Sequence, residues 1–225
     1  MQQVVKTLGR TQILYYTKGD SPTLLIHSGT HGDEYGVIDS VRLAVEKYEA
    51  QLPDFIYVPI VSPSAVAKRS RLNWGGLDLN RSFFGDNADS EVQANQEIVK
   101  GKSLDLLVTF HEDSGPGTKF YLYDMGLGLE DKDSWKKFRD EVGAMGVGLL
   151  SGTDDPDDPY LNYTFTEGYH YWSVPVKGYE GGSFDAWATR NKVVKKALIP
   201  EIPGHLSQDK KNKVVDLFFQ KILLT

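Results

Sequence analysis

Short apolar runs alternate with segments of helical period along the whole chain, and this alternation limits the possible folds more than any other feature of the sequence. Thr11 to Tyr16 reads as an early strand. Thr23 to His27 is a brief apolar run closed by Ser28-Gly29, as a buried strand would be. Glu34 to Glu49 carries Val37, Val41, Leu43, Ala44, Val45 and Tyr48 near helical period. Phe55 to Val61, Leu104 to Phe110 and Lys119 to Tyr123 read as further strands, and Leu198 to Glu201 as a short one. Ser90 to Lys100, with Ser90 as N-cap, Trp135 to Met145 and Gln208 to Leu223 read as helices. Strands alternating with helices specify an α/β fold whose sheet is covered on both faces.

The 225 residues contain no repeat and no linker-like tract, so one domain over residues 1–225 is expected. A core of that size needs no staple, so a metal held here is expected to serve chemistry. Cysteine is absent, which removes thiol nucleophiles and thiolate metal sites. The net charge of −6 argues against nucleic acid as a partner. The first twenty residues lack a charged segment followed by an apolar run, and no stretch reaches the length of a membrane span. A monomeric, cytoplasmic protein is the expectation.

Ligands of open α/β sheets bind at the carboxyl ends of the strands, and that is where the candidate chemistry lies. His31 and Glu34 follow the strand at 23–27, in the context SGTHGDE. His111 ends the strand at 104–110. A lone HxxE is a common chance pattern, and a lone strand-ending histidine more often has no special role. Together they offer two imidazoles and one carboxylate with a fourth position open, the ligand set of catalytic zinc, which can activate water for attack on a carbonyl. His27 lies inside its strand and reads as a core or supporting histidine. His170 and His205 lie in loop-like sequence and receive no role.

Asp78-Leu79-Asn80-Arg81 places an amide beside a guanidinium, suited to gripping a substrate carboxylate, although a surface turn with an ordinary ion pair would look the same. Lys68, Arg69 and Arg71 form a basic cluster in an acidic chain: either a solvated face or a source of charge for an oxyanion. Glu201, between Pro200 and Pro203, stands at a strand end where a carboxylate could move a proton.

In order along the chain, HxxE at 31 and 34, DLNRSF at 78–83, the strand-ending His111, GGSFDAW at 181–187 and IPEIP at 199–203 resemble the zinc metallocarboxypeptidase family. The resemblance implies a mixed eight-stranded sheet flanked by helices on both faces. It implies one zinc ion held by His31, Glu34 and His111, with Glu201 as general base and acid. Arg71 matches an arginine that stabilises the oxyanion, and the family's carbonyl-polarising arginine aligns with Lys68 or, with a shift of one, Arg69. Asn80 and Arg81 match the pair that binds the terminal carboxylate, and Tyr179 the tyrosine that closes over it. Phe184 takes the position that selects the terminal side chain, which implies a neutral or apolar one.

SPSAVAKRSR at 62–71 followed by DLNRSF is also similar to the succinylglutamate desuccinylase and aspartoacylase branch of the superfamily, which cleaves N-acyl amino acids. FHEDSGPGTKFYLYD at 110–124 instead resembles compact carboxypeptidase-like proteins. The chain continues only twenty-four residues past Glu201, short of the extra domain usual in the desuccinylase branch. A carboxypeptidase acting on short peptides is therefore the first expectation and an N-acyl amino acid amidohydrolase the alternative. A zinc-binding protein without hydrolytic activity fits poorly, because all four of His31, Glu34, His111 and Glu201 are present.

Overall fold

The computed structural model describes residues 1–85, 88–113, 115, 117–155, 158, 160–174 and 181–225. Along the chain run β1 (Gln2–Leu8), β2 (Thr11–Lys18), β3 (Leu24–His27), α1 (Tyr35–Tyr48), β4 (Phe55–Val58), α2 (Pro63–Lys68) and α3 (Ser90–Ile98). Next come β5 (Leu104–Thr109), β6 (His111–Asp113), β7 (Tyr121–Met125), α4 (Asp133–Ala144), β8 (Gly152–Thr153), β9 (Thr164–Phe165) and β10 (Tyr169–Trp172). The last elements are α5 (Phe184–Arg190), β11 (Val194–Pro203) and α6 (Gln208–Phe218), which continues as a π-helix over Phe219–Leu223.

One mixed sheet has the order β1-β2-β4-β3-β5-β11-β7-β10, and β6 also pairs with β11. The expected eight strand positions are all there. The ninth strand, β6, carries on from β5 past Phe110, and both lie parallel to β11. β3 is parallel to β4 and β5, whereas β2 with β4 and β11 with β7 are antiparallel. β8 and β9 form a separate ribbon.

Alternation within the strands divides the core. Leu24 and Ile26 point into one cluster, with Val37, Val41 and Val45 of α1, Phe138 of α4 and Phe218 of α6. Leu25 points the other way, into a cluster with Val92 and Ile98 of α3 and Phe184 and Ala188 of α5. A period of two in the strands thus serves helices on both faces. Each fully buried Leu, Ile or Phe contributes roughly 1.5–3 kcal/mol. Among the described residues no helix is long and apolar enough to cross a membrane.

Two sequence expectations need correcting. Asp89, not Ser90, caps α3: its Oδ1 accepts from the backbone N–H groups of Glu91 (2.8 Å) and Val92 (3.3 Å). A carboxylate one residue earlier reaches the first free helix donors and adds charge at the positive helix end. The last strand is also longer than Leu198 to Glu201, because β11 begins at Val194 alongside Leu104.

Candidate active site

The carboxyl ends of β3, β5 and β11 meet in one place. β3 delivers the loop that carries His31 and Glu34. β6 delivers His111, and the parallel register sets Glu201 of β11 directly beside it. The antiparallel register on the other side of β11 places Tyr121 opposite Glu201 and Tyr123 opposite Ile199, so β7 supplies the next wall.

Glu34 stands at the N-cap position of α1 but makes no capping bond. Its carboxylate is committed elsewhere: Oε1 meets Nδ1 of His31, and Oε2 lies 2.9 Å from Nδ1 of His111. Glu112 takes over at the helix end, where its Oε2 accepts from the N–H of Val37 at 2.8 Å. Its other oxygen pairs with buried Lys211 of α6 at 2.7 Å. The segment after β3 is thereby freed of its usual local duty and held from a distance.

His31, Glu34 and His111 are buried, and one donor atom from each lies within 4.8 Å of the others. Both imidazoles turn Nδ1 inward. Nε2 of His31 faces Oδ1 of Asp78 at 3.0 Å, and Asp78 is itself held by Nε of Arg71 (2.8 Å) and the N–H of Asn80 (2.8 Å). A carboxylate behind a histidine fixes the tautomer that leaves the inner nitrogen free to ligate. Donor type, convergence and support therefore fit a divalent metal.

Without a metal the cluster holds protons. Burial disfavours charge on His31, but the charge of Glu34 and the bond to Asp78 outweigh it and push the imidazole up to about 9. Burial acts to raise Glu34, yet the two histidines bring it far below the usual carboxylate range. A metal must displace the His31 proton, so metal affinity is expected to fall by up to about tenfold for each pH unit below 9. Asp78→Asn removes the supporting charge and is expected to weaken metal binding by about 10–100-fold at pH 7.5, with the circular dichroism unchanged. Chelator competition measures both effects, and unchanged affinity in the variant would remove Asp78 from this role.

A cavity of about 310 Å³ opens on the cluster and is lined by Arg71, Asn80, Arg81 and Glu201. Burial raises the Glu201 carboxyl to about 8. The charges of Glu34 and Asp113 add to this, while His111 and Arg71 oppose it. A carboxyl near neutrality is suited to exchanging protons. Arg81 donates to Asp158 at 2.7 Å and to the carbonyl of Asn80 at 3.1 Å.

The other predicted residues lie elsewhere. Arg69 ends α2 in the left-handed region (φ 50°) and lays its guanidinium over the Tyr35 ring at 4.8 Å. Lys68 donates to the carbonyl of Asn73 at 2.9 Å. Neither lines the cavity, whereas Arg71 does. Phe184 also has to be reassigned: it is buried against His27 (4.6 Å) and Phe83 (5.1 Å) under the sheet. As the first residue of α5 it turns into the core, while its neighbours Ser183 and Asp185 face the cavity. Tyr179 lies outside the described residues. Burial, and then the charge of His111, lower His27 to about 3, so it is a neutral core histidine.

Sequence reasoning missed Asp78 as the partner of His31, and it missed Tyr123, Asp154 and Trp172 as wall residues. A signal for the tyrosine wall was available. Tyr121 and Tyr123 are two apart on one strand and therefore share a face.

Comparison with known proteins gives a consistent picture. Residues 20–124 match the succinylglutamate desuccinylase/aspartoacylase catalytic domain. Over 75 residues the chain is 37% identical to the N-alpha-acetyl-L-2,4-diaminobutyric acid deacetylase of Halomonas elongata. That match covers 31% of this chain and 21% of the relative, about a fifth of its length. A candidate metallopeptidase from Shewanella amazonensis superposes with a TM-score of 0.74 at 19% identity, covering 100% of this chain and 88% of that one. A metallo-carboxypeptidase from Burkholderia cenocepacia gives a TM-score of 0.62 at 15% identity, covering 99% of this chain and 64% of that one. The chain thus shares its fold throughout with these metallopeptidase structures, and over residues 20–124 it is similar in sequence to the succinylglutamate desuccinylase/aspartoacylase catalytic domain.

Proposed function

We propose that this protein is a zinc-dependent hydrolase that cleaves the amide bond next to a free carboxylate in a small substrate. One observation carries the reading: His31, Glu34, His111, Glu201, Arg71, Asn80 and Arg81 line a single cavity at the strand ends. Its volume, about 310 Å³, sits at the small end of ligand pockets. Zinc bound by His31, Glu34 and His111 would polarise the amide carbonyl and activate water. Glu201 is placed to accept a proton from the attacking water and to return it to the leaving amine. Arg71 faces the developing oxyanion. Asn80 and Arg81 hold the free carboxylate by charge-assisted hydrogen bonds.

Two substrate classes suit this arrangement. The carboxypeptidase-like fold favours removal of the C-terminal residue from a short peptide. The match of residues 20–124 to a desuccinylase/aspartoacylase domain, and the deacetylase relative, favour an N-acyl amino acid. A single catalytic domain over residues 1–225, working as a cytoplasmic monomer, completes the proposal.

The test is a mass-spectrometric product assay on zinc-loaded protein with a pooled panel of N-blocked dipeptides, longer peptides and N-acyl amino acids. Release of single C-terminal residues from peptides establishes the carboxypeptidase. Turnover confined to N-acyl amino acids establishes the deacylase. No turnover of any member by fully loaded protein rejects the hydrolase.

A further inference from the structure

The cavity that faces the metal cluster is unequally charged. Its wall carries eight carboxyl groups, Glu201 among them held protonated near neutrality by burial, against two guanidiniums and the two histidines of the cluster. Glu34 is engaged with the histidines and Glu112 with Lys211, while Asp113, Asp154 and Asp185 accept from the hydroxyls of Tyr121, Tyr123 and Ser183, which bring no cation. Both guanidiniums are already paired with carboxylates outside the eight, Arg71 with Asp78 and Arg81 with Asp158. Burial pushes up the Asp158 carboxyl, but the N–H of Tyr160 and the guanidinium outweigh that and hold it low, so this pair stays charged.

The excess is one of acceptors as well as of charge. Oδ1 of Asp33 is sealed from solvent and has no hydrogen-bond partner among the described residues, although Asp33 lines the cavity. On the β7 side the wall combines carboxylate with aromatic rings. Asp154 accepts from the Tyr123 hydroxyl and from the N–H of Tyr163 at 2.7 Å. Tyr123 stacks on Trp172 with ring centres 5.1 Å apart and planes 10° apart. Burial, with the charges around it, keeps the Tyr123 phenol protonated. A carboxylate beside stacked rings is a setting in which an ammonium group gains from both the charge and the ring faces.

We propose that the substrate carries an ammonium group, seated between the Asp154 carboxylate and the Tyr123–Trp172 pair, while its free carboxylate is held at Asn80 and Arg81. The proposal rests on the hydrolase reading above and narrows it to amides of basic amino acids. Substrates with an added carboxylate meet Asp154 and Asp155 as like charges and are rejected. It replaces the neutral or apolar side chain implied by Phe184, which lies in the core.

The test has two arms. The first compares kcat/KM on zinc-loaded protein for matched N-acetyl amino acids and N-acetyl dipeptides that carry lysine, norleucine or glutamate. The best lysine compound is expected to exceed its norleucine match by about tenfold and its glutamate match by about a hundredfold. Asp154→Asn and, separately, Trp172→Leu are each expected to reduce the lysine-to-norleucine ratio to about threefold or less. The second arm measures binding of the N-acetyl derivatives of lysine, norleucine and glutamate to metal-free protein by calorimetry, with the lysine compound expected to bind best. If no compound is turned over, the hydrolase reading fails and the binding arm alone decides the charge preference. Equal or reversed preference among the three side chains in whichever arm gives signal overturns the proposal.

Discussion

Glu201→Gln is expected to lose turnover by about 10²–10⁴-fold while binding its metal as tightly as the parent. Glu201 lies beside His111 in the register of β11 but outside the donor group of His31, Glu34 and His111. The substitution keeps shape and removes only the group that moves the proton. The same change should stabilise the metal-free protein. Folding raises this carboxyl from its ordinary 4.5 to about 8, chiefly by burial. The folded state therefore holds the proton more tightly than the unfolded state, and wild-type stability falls as pH rises from about 4.5 through 8. Glutamine does not titrate. Its advantage should be absent at pH 4 and grow to the order of 1–2 kcal/mol by pH 8.5. Urea melts at the two pH values measure it. Parallel stability curves for parent and variant would show that Glu201 is not held at a cost. Full turnover in the variant would take the proton-transfer role away from it.

Gly32→Ala is expected to disable the site through the backbone. A Cβ at this position would sit 1.8 Å from the carbonyl oxygen of Ala65 and 2.2 Å from its carbonyl carbon. Neither atom can yield as a flexible side chain would. The Ala65 carbonyl is bound by the N–H of Ser70, and the Ser70 carbonyl accepts from Gly32 itself at 2.9 Å. The loop and α2 must therefore part, and His31 and Glu34 move with the loop. The expected cost is about 3 kcal/mol of stability, with a loss of about 10²-fold in turnover from misplaced groups. Gly143→Ala is the control. That glycine lies in α4 with open space around its Cβ, and alanine there should add roughly 0.5–1 kcal/mol. A Gly32→Ala protein with parental melting and turnover would mean that the contact with α2 is not needed.

What could be read from the sequence divides by distance along the chain. The HxxE turn is local but by spacing alone a common chance pattern, so His31, Glu34 and His111 are legible as a site only together, at the carboxyl ends of neighbouring strands. The strands and helices with clear period, such as α1 and β5, were found within a few residues. α5 and β10 were not, being short and set in mixed composition. Arg69 and Arg71 are two apart and chemically alike. Only the left-handed turn at Arg69 sends one to Tyr35 and leaves the other at the cavity. Phe184 and Asp185 are neighbours, and which of them faces the cavity depends on how α5 meets the sheet. The bond between His31 and Asp78 spans 47 residues and has no local trace. Long-range pairing of this kind had to come from the fold.

β11 is the last strand to be synthesised yet sits in the interior of the sheet, between β5 and β7. While a nascent chain still lacks it, those two strands present raw edges on which other chains could add. The edges are sealed only by a segment about ninety residues beyond β5, a contact of high sequence separation and so a slow one to make. Closure of the sheet also brings Glu201 to His111. Catalytic competence and protection from aggregation thus arrive in one late event. A chain stalled before residue 194 is expected to be inert and prone to self-association.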